Sequence, residues 1–261
     1  MHIVVCVKQV PDTSQVRIDP ETNTLVREGV PSIMNPLDAF AVEGAVRLRE
    51  QLGGRVTALS TGPPQAEAVV REAVARGCDG GILLSDAAFA GSDTWATSYA
   101  LSCAIRRLDD VKLVLCGKQA IDGDTAQVGP GLAVHLGWPQ ATYVRGIEKA
   151  DEEELTVECL TDRGIEVLEV PLPAVLTALK DLNEPRLPSL PSQMRARRCE
   201  IETRGLEDVG DDERQFGLTG SPTRVMRVFS PPPPGEARIW DDDPAESARG
   251  LAAALGEEGL L

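Results

Sequence analysis

Aromatic side chains are scarce in this chain of 261 residues: tryptophan, tyrosine and phenylalanine together make up 3%. That excludes the aromatic platforms on which single-stranded nucleic acid stacks. Positive charge is also in deficit. Lys and Arg number 26 against 41 Asp and Glu, for a formal net charge of −15. Such a balance argues against nucleic acid or an anionic membrane surface as the main partner. It suits solubility and contact with basic surfaces. The two histidines, His2 and His135, are far apart, and no cluster has metal-ligand spacing. A late-helix position gives His135 a capping or surface role. No GxGxxG follows the first strand, and GxxxxGK[ST] and GxSxG are missing as well. The six cysteines, Cys6, Cys78, Cys103, Cys116, Cys159 and Cys199, form no CxxC pair. They read as reduced core thiols of a cytosolic protein. No apolar run is long enough to cross a bilayer, and the one at MHIVVCVKQVPD is far too short for a signal peptide.

What is there is an alternation of apolar runs and helical periodicity. HIVVCV (2–7), RVTALSTG (55–62), GILLSD (81–86) and KLVLCG (112–117) read as buried strands. Residues 16–28 read as a hairpin around Pro-Glu-Thr-Asn. Helices are expected at 35–51, with Pro36 in the first turn, at 63–77, closed by Gly77, and at 92–109, capped by Ser92 or Asp93. Strands joined by helices imply parallel pairing with right-handed crossovers. The fold class is therefore α/β, a doubly wound, mostly parallel sheet of Rossmann-like type. From Ala141 to residue 173 the texture is strand-rich with charged turns, and 174–181 reads as a returning strand. The expected division is an α/β domain over 1–182 and a C-terminal part over 183–261. The latter comprises a proline-rich arm, an SPPPPG spacer and a terminal helix. Asp241, Asp242 and Asp243 ahead of that helix serve capping and solvation.

In doubly wound sheets ligands bind outside the carboxyl ends of the strands. Four such ends are readable: Cys6-Val7-Lys8, Ser60-Thr61-Gly62, Ser85-Asp86 and Gly117-Lys118-Gln119. The last opens the stretch CGKQAIDGDTAQVGPGL (116–132), a strand–loop–helix junction with Gly123, Gly129 and Gly131. Its backbone amides could hold an anion, Asp124 or Thr125 could cap the helix, and Gln127 could bond a base, ribose or phosphate. Pro130 is expected to mark a second helix start or a kink. A plain structural turn fits these residues about as well, and Asp122 and Asp124 would repel phosphate unless otherwise engaged. The residues favour a nucleotide carrier over a catalyst of bond-making chemistry.

At GKQAIDGDTAQVGPGLAVHLGWPQ the chain resembles the β subunit of electron-transfer flavoprotein. VCVKQVPDT, GVPSIMNPLDAFAVEGAVRLRE, ALSTGPPQ, LPAVLTALKDLNEPRLPSLPSQMRAR and GLTGSPTRVMRVF match the same pattern in order, over nearly the whole chain. The resemblance implies an obligate heterodimer with an α subunit that holds a flavin at the shared interface, the C-terminal part of this chain packing on that subunit. It implies an electron carrier in which this subunit binds either structural AMP or the ADP end of a second FAD. In the second case, the bifurcating branch, the flavin ring takes a hydride from NADH. Carried over by position, the nucleotide site comprises Cys6, Asn35, Pro36, Leu37, Asp38 and Thr61. To these it adds the loop Asp122, Gly123, Asp124, Thr125, Ala126, Gln127, Val128, Gly129, Pro130, Gly131, Leu132 and Ala133. No catalytic residue and no metal ligand is implied.

Non-aromatic residues at Thr13 and Leu37, with Pro-Asp-Thr at 11–13, Thr-Ala-Gln-Val-Gly at 125–129 and Gly-Ser-Pro-Thr at 220–223, resemble the bifurcating branch. Leu190 matches the hydrophobic anchor that grips dehydrogenases. Leu187 and Gln193 depart from the pattern beside it. The implied partners are acyl-CoA or similar dehydrogenases, a quinone oxidoreductase or ferredoxin acceptor, and NADH, in a bacterial cytoplasm. The alternative is a one-flavin carrier that relays electrons from acyl-CoA dehydrogenases. A nucleotide-dependent hydrolase or ligase of similar fold ranks behind both, because no catalytic base or metal site appears.

Overall fold

Apolar runs without polar alternation become the middle of a sheet covered on both faces. The computed structural model describes residues 1–12, 17–18, 25–26, 31–210, 212–226, 237–241 and 243–261. In chain order the strands are β1 (His2–Cys6), β2 (Gln9–Pro11), β3 (Arg17–Ile18), β4 (Leu25–Val26), β5 (Ser32–Met34), β6 (Arg55–Thr61) and β7 (Gly80–Leu84). They continue with β8 (Val111–Gly117), β9 (Gln140–Ala150), β10 (Glu154–Thr161), β11 (Gly164–Pro171), β12 (Ala174–Ala178) and β13 (Ile201–Arg204). The helices are α1 (Pro36–Leu52), α2 (Glu67–Arg76), α3 (Thr94–Ile105), α4 (Val128–Leu136), α5 (Leu190–Arg198), α6 (Leu206–Val209) and α7 (Pro244–Glu257).

The main sheet runs β11-β10-β9-β12-β8-β1-β6-β7-β13. Every pairing from β9 across to β13 is parallel. β10 pairs antiparallel with β9 and with β11, so the strand-rich stretch after Ala141 forms a meander at one edge. Successive residues of the central strands feed opposite cores. Ile3, Val5, Leu113, Leu115 and Leu176 pack under α1, α2 and α5. Val4, Cys6, Val114, Cys116 and Val175 pack under α3 and α4. The doubly wound class expected from the sequence is the class observed. β3 pairs antiparallel with β4, the two arms of the expected hairpin, whose Pro-Glu-Thr-Asn tip lies outside the described residues. So do Thr13 and the SPPPPG spacer.

Contacts divide the chain into Met1–Arg224 and Val225–Leu261. Within the second unit, α7 starts with Pro244 in its first turn, and Gly250 lies against the Trp240 indole. Within the first, the stretch after residue 183 does more than extend. Ser189 accepts from the Ser192 N–H and, with Pro191 in the first turn, starts α5, which packs on α2. β13 then adds a ninth strand beside β7. Of the prolines that suggest an extended arm, Pro191 is here a helix-start residue.

Five cysteines are buried and Cys199 is half-buried, and all six are free. Cys6 and Cys116 are paired in register, and their hydrogen bond, with burial, holds the Cys116 thiol well above the ordinary range. His2 is a satisfied core residue, with Nδ1 at 2.9 Å from the Asp109 carbonyl and Nε2 at 2.9 Å from Thr57 Oγ1. His135 packs its ring against Trp95 and Tyr99.

The stretch between β12 and α5 is tied to α1. Asn183 Nδ2 donates to the Phe40 carbonyl at 2.9 Å. Arg186 Nε donates to Glu43 Oε2 at 2.7 Å and its Nη1 to Glu50 Oε1 at 2.6 Å. The Glu43 side chain is 4% exposed and that of Arg186 35%. Burial pushes the Glu43 carboxyl upward, but hydrogen bonds from Arg186 and Arg47 outweigh it and hold it below the usual range. Arg186→Ala should cost roughly 2 kcal/mol, less than breaking a fully buried pair because Arg186 is partly solvated and Arg47 remains. A group with a lowered folded pKa stabilises above its unfolded value and loses that contribution on acidification. The penalty, read by urea unfolding, should therefore shrink as the pH falls below about 4. A penalty that does not change with pH would show that this ion pair is not its source.

Candidate functional site

The chain leaves β1 for β6 and β7 on one side, then crosses back to place β8 on the other. Loops that follow β1 and β8 therefore diverge, and a crevice opens at the carboxyl ends of these two strands. Three segments meet there: Val7-Lys8 after β1, Asn35–Asp38 at the start of α1, and residues 118–127 after β8.

A buried polar knot joins them. Asp38, in the first turn of α1, is 6% exposed and Asn35 is 1% exposed. The Lys8 backbone N–H donates to Asp38 Oδ2 at 2.8 Å. Asn35 Nδ2 donates to Asp38 Oδ1 at 2.8 Å and to the Gln119 carbonyl at 2.9 Å. The Ile121 N–H donates to Asn35 Oδ1 at 3.2 Å, and the Asn35 N–H to the Lys8 carbonyl at 2.9 Å. Gly117 makes room for this packing: a Cβ there would lie 2.4 Å from Asp38 Oδ1. Burial pushes the Asp38 carboxyl up to about 7 against the opposing hydrogen bonds.

Above the knot the loop is exposed from Asp122 to Thr125 and at Gln127. Its two carboxylates are engaged. Asp122 takes Lys8 Nζ at 2.7 Å and 2.8 Å. Asp124 accepts from Gln119 Nε2. The Lys8 ammonium thereby offsets the repulsion that Asp122 would exert on a phosphate, while Asp124 keeps its charge. Asp124 and Ala126 adopt positive φ, 51° and 55°. Ala126 in that region costs on the order of 1–2 kcal/mol. Gln127 follows at φ −104°, ψ −16°, and such left–right alternation turns successive N–H groups toward a common point.

α4 begins at Val128 with Gln127 at its N-cap and no side-chain capping bond, whereas Asp93 caps α3 and Ser189 caps α5. Neither Asp124 nor Thr125 caps α4, contrary to expectation, because the helix starts later than either. Pro130 is the third helical residue, and the first helical bond runs from the Gly131 N–H to the Gln127 carbonyl. The proline thus lacks only an N–H that would be unpaired anyway, and it marks neither a kink nor a second start.

The predicted site residues fall into three groups. Asn35, Asp38, Asp122, Gly123, Asp124, Thr125, Ala126, Gln127 and Val128 lie at the crevice or frame it. Cys6 and Thr61 end β1 and β6 at the same edge of the sheet. Pro36 is exposed at the first position of α1, and Leu37 is half-buried beside it. The third group packs inward. Leu132 and Ala133 belong to the core beneath α4. A Cβ on Gly129 would meet Thr177 Cγ2 at 2.3 Å, and one on Gly131 would meet Ser98 Oγ at 2.5 Å. These glycines let α4 approach β12 and α3. Leu190 lies apart from the crevice, as the first residue of α5, and is 76% exposed.

Sequence reasoning read Lys8, Lys118 and Gln119 as strand-end residues without giving them a role, and it did not single out Tyr143 or Thr177, which lie next to the start of α4. The first three stand at strand ends that the apolar runs made readable. For Tyr143, at φ 57° within β9, nothing in the sequence signals the conformation.

Asp38 has a raised folded pKa, so its neutral form is favoured in the native state. Its contribution is fully present below the unfolded value and is lost as the pH rises toward about 7. Relative to Asp38→Asn, the wild-type chain should lose stability from pH 5 to pH 8, as read by urea midpoints at each pH. Parallel midpoints for the two proteins would show that the carboxyl does not titrate in that window.

The chain matches the electron transfer flavoprotein domain over residues 22–209. The electron transfer flavoprotein subunit beta of Thermoanaerobacterium thermosaccharolyticum is 47% identical over 262 residues, covering 100% of both chains. The caffeyl-CoA reductase-Etf complex subunit CarD of Acetobacterium woodii is 49% identical over 263 residues, again covering 100% of each. Protein FixA of Azotobacter vinelandii is 46% identical over 265 residues, covering 98% of this chain and 94% of that one.

Proposed function

We propose, from the premise that the chain belongs to the electron transfer flavoprotein family and has the character of its β subunits, that the switch-point crevice holds the adenine-nucleotide part of an FAD. The observation that carries this reading is the uncapped start of α4 behind the Ala126–Gln127 alternation. Positive helix-end charge and converging amides suit a phosphate. The residues present fit such a group. Thr125 and Gln127 are exposed, and Gly123 has nothing within 4 Å of its Cβ position. Asp122 and Asp124 already have donors.

When bound, the flavin supplies the chemistry, accepting a hydride or electrons and passing them on. The chain binds and orients. Asn35 and Asp38 hold the loop in register. The amides before α4 take the phosphate, and Thr125 and Gln127 contact ribose or base. The heterodimer with an α subunit, NADH as donor, and dehydrogenase, quinone or ferredoxin partners are parts of the same reading. So is a cytoplasmic site of action. Among the described residues no helix is long and apolar enough to cross a membrane. A relative named as a subunit of a caffeyl-CoA reductase-Etf complex supports a partner that acts on CoA esters. The second reading, structural AMP in the same crevice, rests on the same donors.

The ligand released when the purified protein is denatured tests both. Two FAD per heterodimer without AMP support the first reading and one FAD with AMP the second, and no nucleotide beyond the α subunit's flavin would sink the crevice as a binding site. Gly129→Val is no clean probe, since its side chain would strike Thr177. Thr125→Val and Gln127→Ala are better, because both side chains are exposed. Either should weaken nucleotide retention by up to about one decade, the worth of a neutral hydrogen bond to ribose or base. The melting temperature of the nucleotide-free chain should stay in place, and unchanged retention in both variants would move the ligand elsewhere.

Leu190 stands exposed beside a shallow groove on α5, lined by Pro191, Met194, Arg195, Arg198 and Cys199. A preformed apolar anchor loses little entropy on docking. Leu190→Ala should leave the melting temperature and flavin content alone and slow reduction by a dehydrogenase partner in stopped-flow traces. Loss of flavin instead would make α5 a structural element of the cofactor site.

A further inference from the structure

We infer, on the reading that Leu190 anchors a dehydrogenase partner, that Arg71 is the positioning residue of that anchor and fixes α5 from its far end. The anchor helix buries very little. Of its nine residues only Ala196 is buried, and an alanine supplies little of the apolar contact that seats a helix on its neighbour. Leu190 and Met194, one turn apart, are 76% and 55% exposed. Leu187, just ahead of the helix, is exposed as well. Apolar burial therefore does not decide where α5 stands, and polar bonds to α2 take over that task.

Those bonds come from arginines. Arg195, in α5, donates from Nη2 to the Val74 carbonyl of α2 at 3.2 Å. Arg76, in α2, donates from Nη1 to the Arg186 carbonyl at 3.2 Å and so holds the approach to α5. Arg71, also in α2, takes the exit. Its Nη1 donates to the Ala196 carbonyl and, at 2.9 Å, to the Cys199 carbonyl. Its Nη2 is paired with Glu67, four residues earlier in α2, so the guanidinium is itself aimed. The target is the end of α5 that lacks partners. The helix closes with the Cys199 N–H on the Arg195 carbonyl, and the carbonyls beyond find no donor within it. A half-buried cation there satisfies them and meets the negative end of the helix dipole. Two carbonyls three residues apart fix both the place and the roll of the helix, which one contact such as Arg195 to Val74 leaves free.

Ala196 and Leu190 are separated by about 9 Å along the helix axis. Arg71 therefore stands away from the anchor and acts on it through α5. The entry side is tied independently, by Arg186 to Glu43 and Glu50 on α1. With both ends held, Leu187 and Leu190 are presented in one place before a partner arrives, and docking has less motion to arrest. Without Arg71 the α1 tie remains but the far end of α5 is loose, so the anchor is ordered only on binding. The nucleotide crevice is spared, because α2 and α5 cover one face of the sheet and α4 the other.

The test is steady-state reduction of the flavin-loaded heterodimer by an acyl-CoA dehydrogenase that reduces the wild type, turning over butyryl-CoA, with the heterodimer as the varied substrate. Leu190→Ala should raise the KM for the heterodimer by about tenfold. Arg71→Ala should raise it by about fivefold, with kcat and flavin content unchanged. The double variant should be no worse than Leu190→Ala alone, because Arg71 then has no anchor to aim. In Arg71→Ala the amides of α5 should exchange with deuterium faster, while those of β1 and α1 keep their rates. Arg71→Lys keeps the charge without the planar fork and should raise KM by about twofold, which carries the test if the alanine variant folds poorly. Effects that multiply in the double variant, or a fall in kcat with loss of flavin, overturn the inference. So do arginine variants that match the wild type in KM. A Leu190→Ala protein with unchanged KM is a different result: it strikes the anchor reading itself and takes the inference down with it.

Discussion

The loops at the carboxyl ends of β1 and β8 depend on one buried carboxyl group, that of Asp38. A doubly wound sheet opens a crevice by sending two adjacent strands to opposite sides, but topology alone leaves the loops above it free to collapse. Asp38 and Asn35 prevent this by bonding the turn after β1, the start of α1 and the loop after β8 to one another. Burying such groups is costly unless each is satisfied, and here every polar atom of the pair has a partner. The geometry of the loop, the entry into α4 and the reach of Lys8 to Asp122 all follow from that anchoring.

The strongly acidic composition looks unpromising for an anion, and the local arrangement around the loop differs from that average. Within the loop the carboxylates are engaged by Lys8 and Gln119, and the helix behind it carries an uncapped, positive end. Net charge governs what approaches from a distance, whereas a site is governed by the groups within a few ångströms.

Much of the fold was legible because buried parallel strands are continuous apolar runs and because helix boundaries carry chemical marks. Asp93 capping α3, Pro36 opening α1 and Gly77 closing α2 at φ 133° are where the sequence puts them. α5 and β13 were not legible. Pro188 and Pro191 read as an extended arm, yet a serine cap and contact with α2 turn the segment into a helix. IETR is too short and too charged to announce a strand, and only the free edge of β7 makes it one. At the site, the resemblance to a family placed the loop and the Asn35–Asp38 turn together, which spacing alone does not do. It could not separate residues that face the crevice from Gly129, Leu132 and Ala133, which face the core, because that depends on which side of α4 meets β12. Tyr143 was beyond reach for another reason. A left-handed tyrosine is imposed by its neighbours and leaves no trace in its own residue type.

The close approach at Gly117 has a consequence for how such a chain can change over time. A side chain there would collide with Asp38 Oδ1 at 2.4 Å, but also with the Leu37 carbonyl carbon at 2.8 Å and the Asp38 nitrogen at 2.9 Å. Trimming Asp38 would remove the first clash and leave the other two. The two positions are therefore unequal in mutational freedom. A change at position 38 leaves the glycine at 117 as constrained as before, because two of the three clashes are with backbone. Position 117 is thus closed to any side chain, and it is the backbone of α1 that closes it.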